Sequence, residues 1–90
     1  MTQGDNETLL KFPCDFSIKA MGLASEEFEI MVVEIVRRHV EDLRENAVRS
    51  RPSKNGKYSS ITITIQATSK RQLDTIYQEL HDSEKVLMAL

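Results

Sequence analysis

From Ser60 to Ala67 apolar and polar residues alternate without a break. Ile61, Ile63, Ile65 and Ala67 take one side, and Ser60, Thr62, Thr64 and Gln66 the other. Side chains of a strand repeat every two residues, so the run predicts a strand over 58–67 with one buried and one open face. Just upstream, Asn55-Gly56 is a two-residue hairpin signal, because a type I′ turn needs positive φ at both positions. A hairpin needs a preceding partner, which predicts a strand from Ala47 to Ser53. Pro52 and the charges around it place that strand at a sheet edge.

The same two periods parse the rest. Phe16, Ile18 and Ala20 alternate with Ser17, Lys19 and Met21, which predicts a first strand from Asp15 to Met21, broken at Gly22. Ser25 then stands as an N-cap before Glu26, Glu27 and Glu29, carboxylates that suit the positive end of a helix. Phe28, Met31, Val32, Ile35, Val36 and Val40 form one helical stripe. Ser69 caps a second helix, whose buried stripe is Leu73, Ile76, Tyr77 and Leu80, and His81-Asp82-Ser83 ends it. Val86 to Leu90 reads as a short last strand. The order βαββαβ, with one apolar face on each good element, predicts an α+β two-layer sandwich of the ferredoxin-like type. Two helices cover one face of a four-stranded antiparallel sheet. Right-handed crossovers put the first and third strands at its centre.

Composition sets the bounds. Ninety residues make one domain, with 40% hydrophobic and 29% charged residues, an ordinary globular balance. Residues 1–11 are expected to be a flexible N-terminal tail and 12–90 the domain. A net charge of −2 gives no global pull towards nucleic acid or an anionic membrane. Cys14 is the single cysteine, which excludes an internal disulfide and a four-cysteine zinc site and suits a reducing cytoplasm. No apolar run approaches the roughly 20 residues of a membrane helix, and Met1 to Glu7 lacks the features of a signal peptide.

Phe12-Pro13, Phe16, Lys19 and Met21-Gly22 resemble the opening of the bacterial YbeD family. The hairpin run from Pro52 through Asn55-Gly56 to Ser60 resembles it too, as do Tyr77 with Leu80 and the ending Val86-Leu87-Met88-Ala89-Leu90. The resemblance spans about residues 9 to 90. It implies a small cytoplasmic bacterial protein of unknown function. The implied fold is similar to the ACT domain, the βαββαβ module that senses amino acids in metabolic enzymes. It supplies no catalytic residues. True ACT domains often carry an acidic residue before the glycine of the first strand–helix turn. Here the turn is Lys19-Ala20-Met21-Gly22-Leu23, with no carboxylate.

Three surfaces are candidates for function. At the first strand–helix turn, Met21, Gly22, Leu23 and Ser25 form a candidate ligand site, since glycine lets backbone amides approach an anion at a helix N-terminus. The plainer reading is a glycine that permits a tight turn. Second, Arg37, Arg38, Arg44, Arg49, Arg51, Lys54 and Lys57 crowd one stretch, against Glu41, Asp42 and Glu45. Arg49, Arg51, Lys54 and Lys57 are the candidate contacts to an acidic partner or phosphate. The plainer reading is charge that keeps a sheet edge from pairing. Third, Ser17, Lys19, Thr62, Thr64 and Gln66 make a polar open face to which Met21 and Met88 add apolar area. That face either meets water or holds a partner.

Catalysis finds little support. His39 and His81 have no metal-ligand spacing, so neither metal nor cofactor is expected. Cys14 has no histidine nearby in sequence to activate it. Acylphosphatase shares the βαββαβ order but needs an arginine in the turn after its first strand, and Met21 to Ser25 has none. RNA recognition on such a sheet uses aromatic residues on the central strands, which argues against nucleic acid. The expected function is therefore a non-enzymatic regulatory or adaptor module. It would bind a small metabolite or a protein, with a homodimer through the sheet as one form and no membrane contact. A small hydrolase or transferase using Lys19, His39 or Cys14 is the alternative, and nucleic-acid binding through residues 37–57 a weaker one.

Overall fold

The computed structural model describes residues 10–90, the Glu45 side chain excepted; most of the expected N-terminal tail, residues 1–9, lies outside the described residues. The elements are β1 (Cys14–Leu23), α1 (Glu26–Arg37), a 3₁₀ turn (Glu45–Ala47), β2 (Val48–Pro52), β3 (Tyr58–Ala67), α2 (Lys70–Asp82) and β4 (Met88–Ala89). One antiparallel sheet runs in the order β2-β3-β1-β4, with β1 and β3 at its centre.

The alternation explains the layering. Ile18 and Ala20 of β1 and Ile61, Ile63, Ile65 and Ala67 of β3 are buried in one cluster with the helical stripes. Those stripes are Phe28, Val32, Ile35 and Val36 of α1 and Leu73, Ile76 and Leu80 of α2. Both helices therefore cover the same face of the sheet. Burying each of these larger side chains is worth about 1.5–3 kcal/mol, which holds the two layers together. The caps stand where the sequence predicts them. The Phe28 N–H donates to Ser25 Oγ at 3.0 Å, and the Gln72 N–H to Ser69 Oγ at 3.0 Å. The Tyr77 ring meets Phe16 edge-on at 6.5 Å between centroids.

The structure corrects four readings. The hairpin is not a two-residue type I′ turn. Lys54 and Asn55 keep negative φ, and only Gly56 is left-handed, at 77°. The Gly56 N–H closes a turn on the Ser53 carbonyl at 2.9 Å, and Asn55 Oδ1 accepts from the Lys57 N–H at 3.1 Å. The asparagine is thus spent on bracing a longer loop. Second, β1 does not break at Gly22 but pairs with β3 through to Leu23 opposite Tyr58. Third, β2 starts at Val48, because Ala47 closes a turn on the Arg44 carbonyl at 3.0 Å. Fourth, β4 is shorter than Val86–Leu90 and covers Met88–Ala89.

Candidate binding face

Residues opposite each other in an antiparallel pair share a face of the sheet, so the register maps the side away from the helices. Arg49 lies opposite Thr62 and Thr62 opposite Lys19, and Lys19 exchanges main-chain hydrogen bonds with Leu90 at 2.9 and 2.8 Å. In the next row Arg51 faces Ser60, Ser60 faces Met21 and Met21 faces Met88. Tyr58 and Leu23 pair at the end of the sheet. The open face is thus divided. Arg49 and Arg51 stand on the β2 side with Lys19 between them and the opposite corner. That corner is apolar: Met21, Leu23, Tyr58, Met88 and Leu90.

Exposure sharpens the contrast. Leu23 (57%), Met88 (49%), Leu90 (64%), Leu87 (63%) and Tyr58 (36%) are large hydrophobics left in solvent. All five gather around one end of β1 and β4. Contiguous exposed apolar area of this kind marks an interaction surface more often than scattered single residues do. Among the described residues, Lys19, Arg49 and Arg51 enter no ion pair. Their charges are unspent.

The candidate ligand turn divides in the structure. Met21 belongs to the open face. Gly22 is buried beneath the Lys85 carbonyl and the Phe28 ring, which occupy the space a Cβ would need. Ser25 caps α1. Leu23 and Ser25 line a hollow of about 230 Å³ with Phe28, Glu84, Lys85 and Leu87, at the rim of the apolar corner. Of the candidate partner residues, Arg49 and Arg51 lie on the open face, while Lys54 and Lys57 lie in the hairpin loop. Lys57 Nζ sits 5.5 Å from the Tyr58 ring centroid, a cation–π approach.

A second depression, of about 1050 Å³, lies where β3 runs past the start of β2 and the chain from His39 to Ala47 forms a wall. Its charges are mixed, with Asp15, Glu41 and Asp42 against Arg44 and Arg49. His39 is held by Glu79, Nε2 to Oε2 3.0 Å, and Arg38 reaches the same carboxylate at 3.3 Å. Among the described residues, no hydrogen bond joins any two of Lys19, His39 and Cys14, and no three His, Cys, Asp or Glu side chains gather as metal ligands. Among them, too, no helix is long and apolar enough to cross a membrane. Burial raises the Tyr77 phenol above its ordinary pKa of 10.0.

The sequence placed Met21 and Met88 on this face and Leu23 at the ligand turn, and did not mark Leu87, Leu90 or Tyr58. Tyr58 was legible, since it has the parity of Ser60 and Thr62. Leu87 and Leu90 were not. A five-residue apolar run offers no period from which to read which side chains face out.

Residues 7–90 match the family described as "Protein of unknown function (DUF493)". UPF0250 protein NE1487 of Nitrosomonas europaea is 46% identical over 84 residues, covering 93% of this chain and 97% of that protein. A UPF0250 protein of Neisseria gonorrhoeae is 40% identical over 91 residues, covering all of both. These are relatives of the YbeD type that the hairpin and terminal residues resemble. The solution structure of protein HP0495 from H. pylori superposes with a TM-score of 0.74 at 16% identity. The match covers 90% of this chain and 85% of that one, and it supports the fold alone.

Proposed function

The chain belongs to the DUF493 family of unknown function, and from that premise we propose that it is a regulatory or adaptor module that acts by binding a protein on its open sheet face. One observation carries the reading: an exposed apolar corner stands beside unpaired cations on a face that no helix or strand covers among the described residues. Two-layer α/β sandwiches bury only one side of their sheet. A partner that adds a layer buries the other. The apolar corner supplies most of the affinity, and the cations supply orientation and rate. In the same proposal the hollow beside Leu23 and Ser25 takes one apolar side chain of the partner, and the module is cytoplasmic, the compartment that suits a chain with one cysteine.

The test is affinity purification from the native cell with three baits: wild type, a Leu87→Asp/Met88→Asp variant, and Ile30→Asp on the exposed side of α1. All three positions are exposed, so the variants are expected to keep the fold, which circular dichroism checks. A protein retained by wild type and Ile30→Asp and reduced at least about tenfold by the double variant is the expected result. Equal retention by all three baits, or loss with Ile30→Asp alone, overturns the proposal.

A further inference from the structure

Taking the open face as the binding surface, we infer that its occupant is an amphipathic helix with an acidic stripe beside its apolar stripe, laid along β3 and β1.

Charge complementarity is the first argument. Among the described residues the open face presents Lys19, Arg49 and Arg51 against Asp15, with Glu41, Asp42 and Arg44 on the wall at its far end, so the cationic excess lies towards Lys19 and Arg51. The helical layer is the reverse, with four glutamates on α1 against Arg37. A two-fold dimer through the open faces would set the cationic row against its own copy, which like charges oppose. A second copy could instead offer its acidic α1. That contact is head-to-tail and does not close, and α1 brings to it one exposed large hydrophobic, Ile30, against a corner of five. A foreign acidic helix meets neither difficulty.

Spacing is the second argument. Arg49 and Arg51 stand two residues apart on one strand, about 7 Å. Carboxylates four residues apart on a helix are separated by about 6 Å along its axis. A helix lying along β3 and β1 therefore sets one acidic pair against the two arginines. Its apolar stripe then turns towards Met21, Leu23, Met88 and Leu90.

Backbone chemistry is the third. The Ser53 N–H donates to the Tyr58 carbonyl, so Arg51 and Arg49 direct their main chain to β3, and Pro52, Ser50 and Val48 direct theirs outward. Pro52 has no N–H to offer there. An added strand finds only two donors on that edge, the N–H groups of Ser50 and Val48. A helix satisfies its own backbone and asks only for side-chain contacts, which the face provides. At the other edge, β4 stops short of Asp15 and Ser17, whose main chains point the same way as that of Lys19. Strand addition at that site is the rival that the test has to separate. Nucleic acid is the other rival, and the Lys57 ammonium over Tyr58 already occupies a ring face that a base would stack on.

The test uses full-length protein and fluorescence anisotropy with four labelled probes. They are a sixteen-residue (roughly four-turn) designed helix with adjacent leucine and glutamate stripes, the same helix with lysine for glutamate, the acidic composition rearranged so that apolar and acidic residues alternate with the period of a strand, and a single-stranded oligonucleotide. The acidic helix is expected to bind at least about tenfold tighter than the other three. Arg49→Glu/Arg51→Glu and Met88→Asp should each weaken it about tenfold or more, and 0.5 M salt should weaken it as well. Equal or tighter binding of the alternating peptide puts a strand on the β1 edge and overturns the helix. Tighter binding of the oligonucleotide, or of the basic helix, overturns the acidic partner. Self-association in sedimentation that Ile30→Asp abolishes puts the next copy's α1 on the face and likewise overturns it. The baits described above keep the two readings apart. If the probes fail while a protein is still lost with Leu87→Asp/Met88→Asp, the open face survives and the acidic helix does not.

Discussion

A methyl group on Gly22 would land on the Lys85 carbonyl oxygen and 2.6 Å from Phe28 Cε1. That glycine lets the turn into β4 cross β1 closely, and the cost of filling the space is one of overpacking. Gly22→Ala should destabilise the fold by about 1–3 kcal/mol in urea unfolding, with the slope unchanged. Stability within a few tenths of wild type would mean that the turn before β4 gives way freely. Tyr77 offers a second residue-scale check. Its phenol is raised above 10.0 by burial, so the folded state keeps its proton when the unfolded state has lost it. The contribution is full below pH 10 and falls away above it. Ultraviolet titration should show one tyrosine ionising late, and Tyr77→Phe should remove both the late step and the alkaline loss of stability.

At the scale of elements, period explains what was legible. β1, β3 and both helices were readable because ten or more residues kept one rhythm, and their caps, Ser25 and Ser69, stand where a hydroxyl was needed. The hairpin partner was readable from Asn55-Gly56, but its turn type was not. Whether asparagine takes a left-handed φ or braces the loop with its side chain depends on Ser53 and Lys57, which it meets only in the folded loop. Gly56 alone carries the positive φ, and its Cβ position faces open space. Gly56→Ala should therefore cost about 1 kcal/mol through backbone strain alone, measured by thermal or urea unfolding. The short β4 and the start of β2 were the least legible, since they are set by the main-chain bonds between Lys19 and Leu90 and by the Ala47 N–H donating to the Arg44 carbonyl rather than by pattern.

For the whole molecule, the net charge of −2 conceals a division. The helical layer carries the acid and the open face the base. Composition adds the two together, and only the register of β1, β2 and β3 separates them. The same holds for the apolar corner. Leu23, Tyr58 and the Met88–Leu90 end come from three distant stretches of sequence and become one surface when β4 pairs beside β1. We propose that this face, cationic on one side and apolar on the other, is where the molecule meets its partner. Its most direct measurement is the change in amide chemical shifts of isotope-labelled protein on titration with the protein that copurifies with it. The shifts are expected to gather on Lys19, Met21, Leu23, Arg49, Arg51, Thr62, Met88 and Leu90. Shifts confined to α1 and α2, with these amides unmoved, would contradict it.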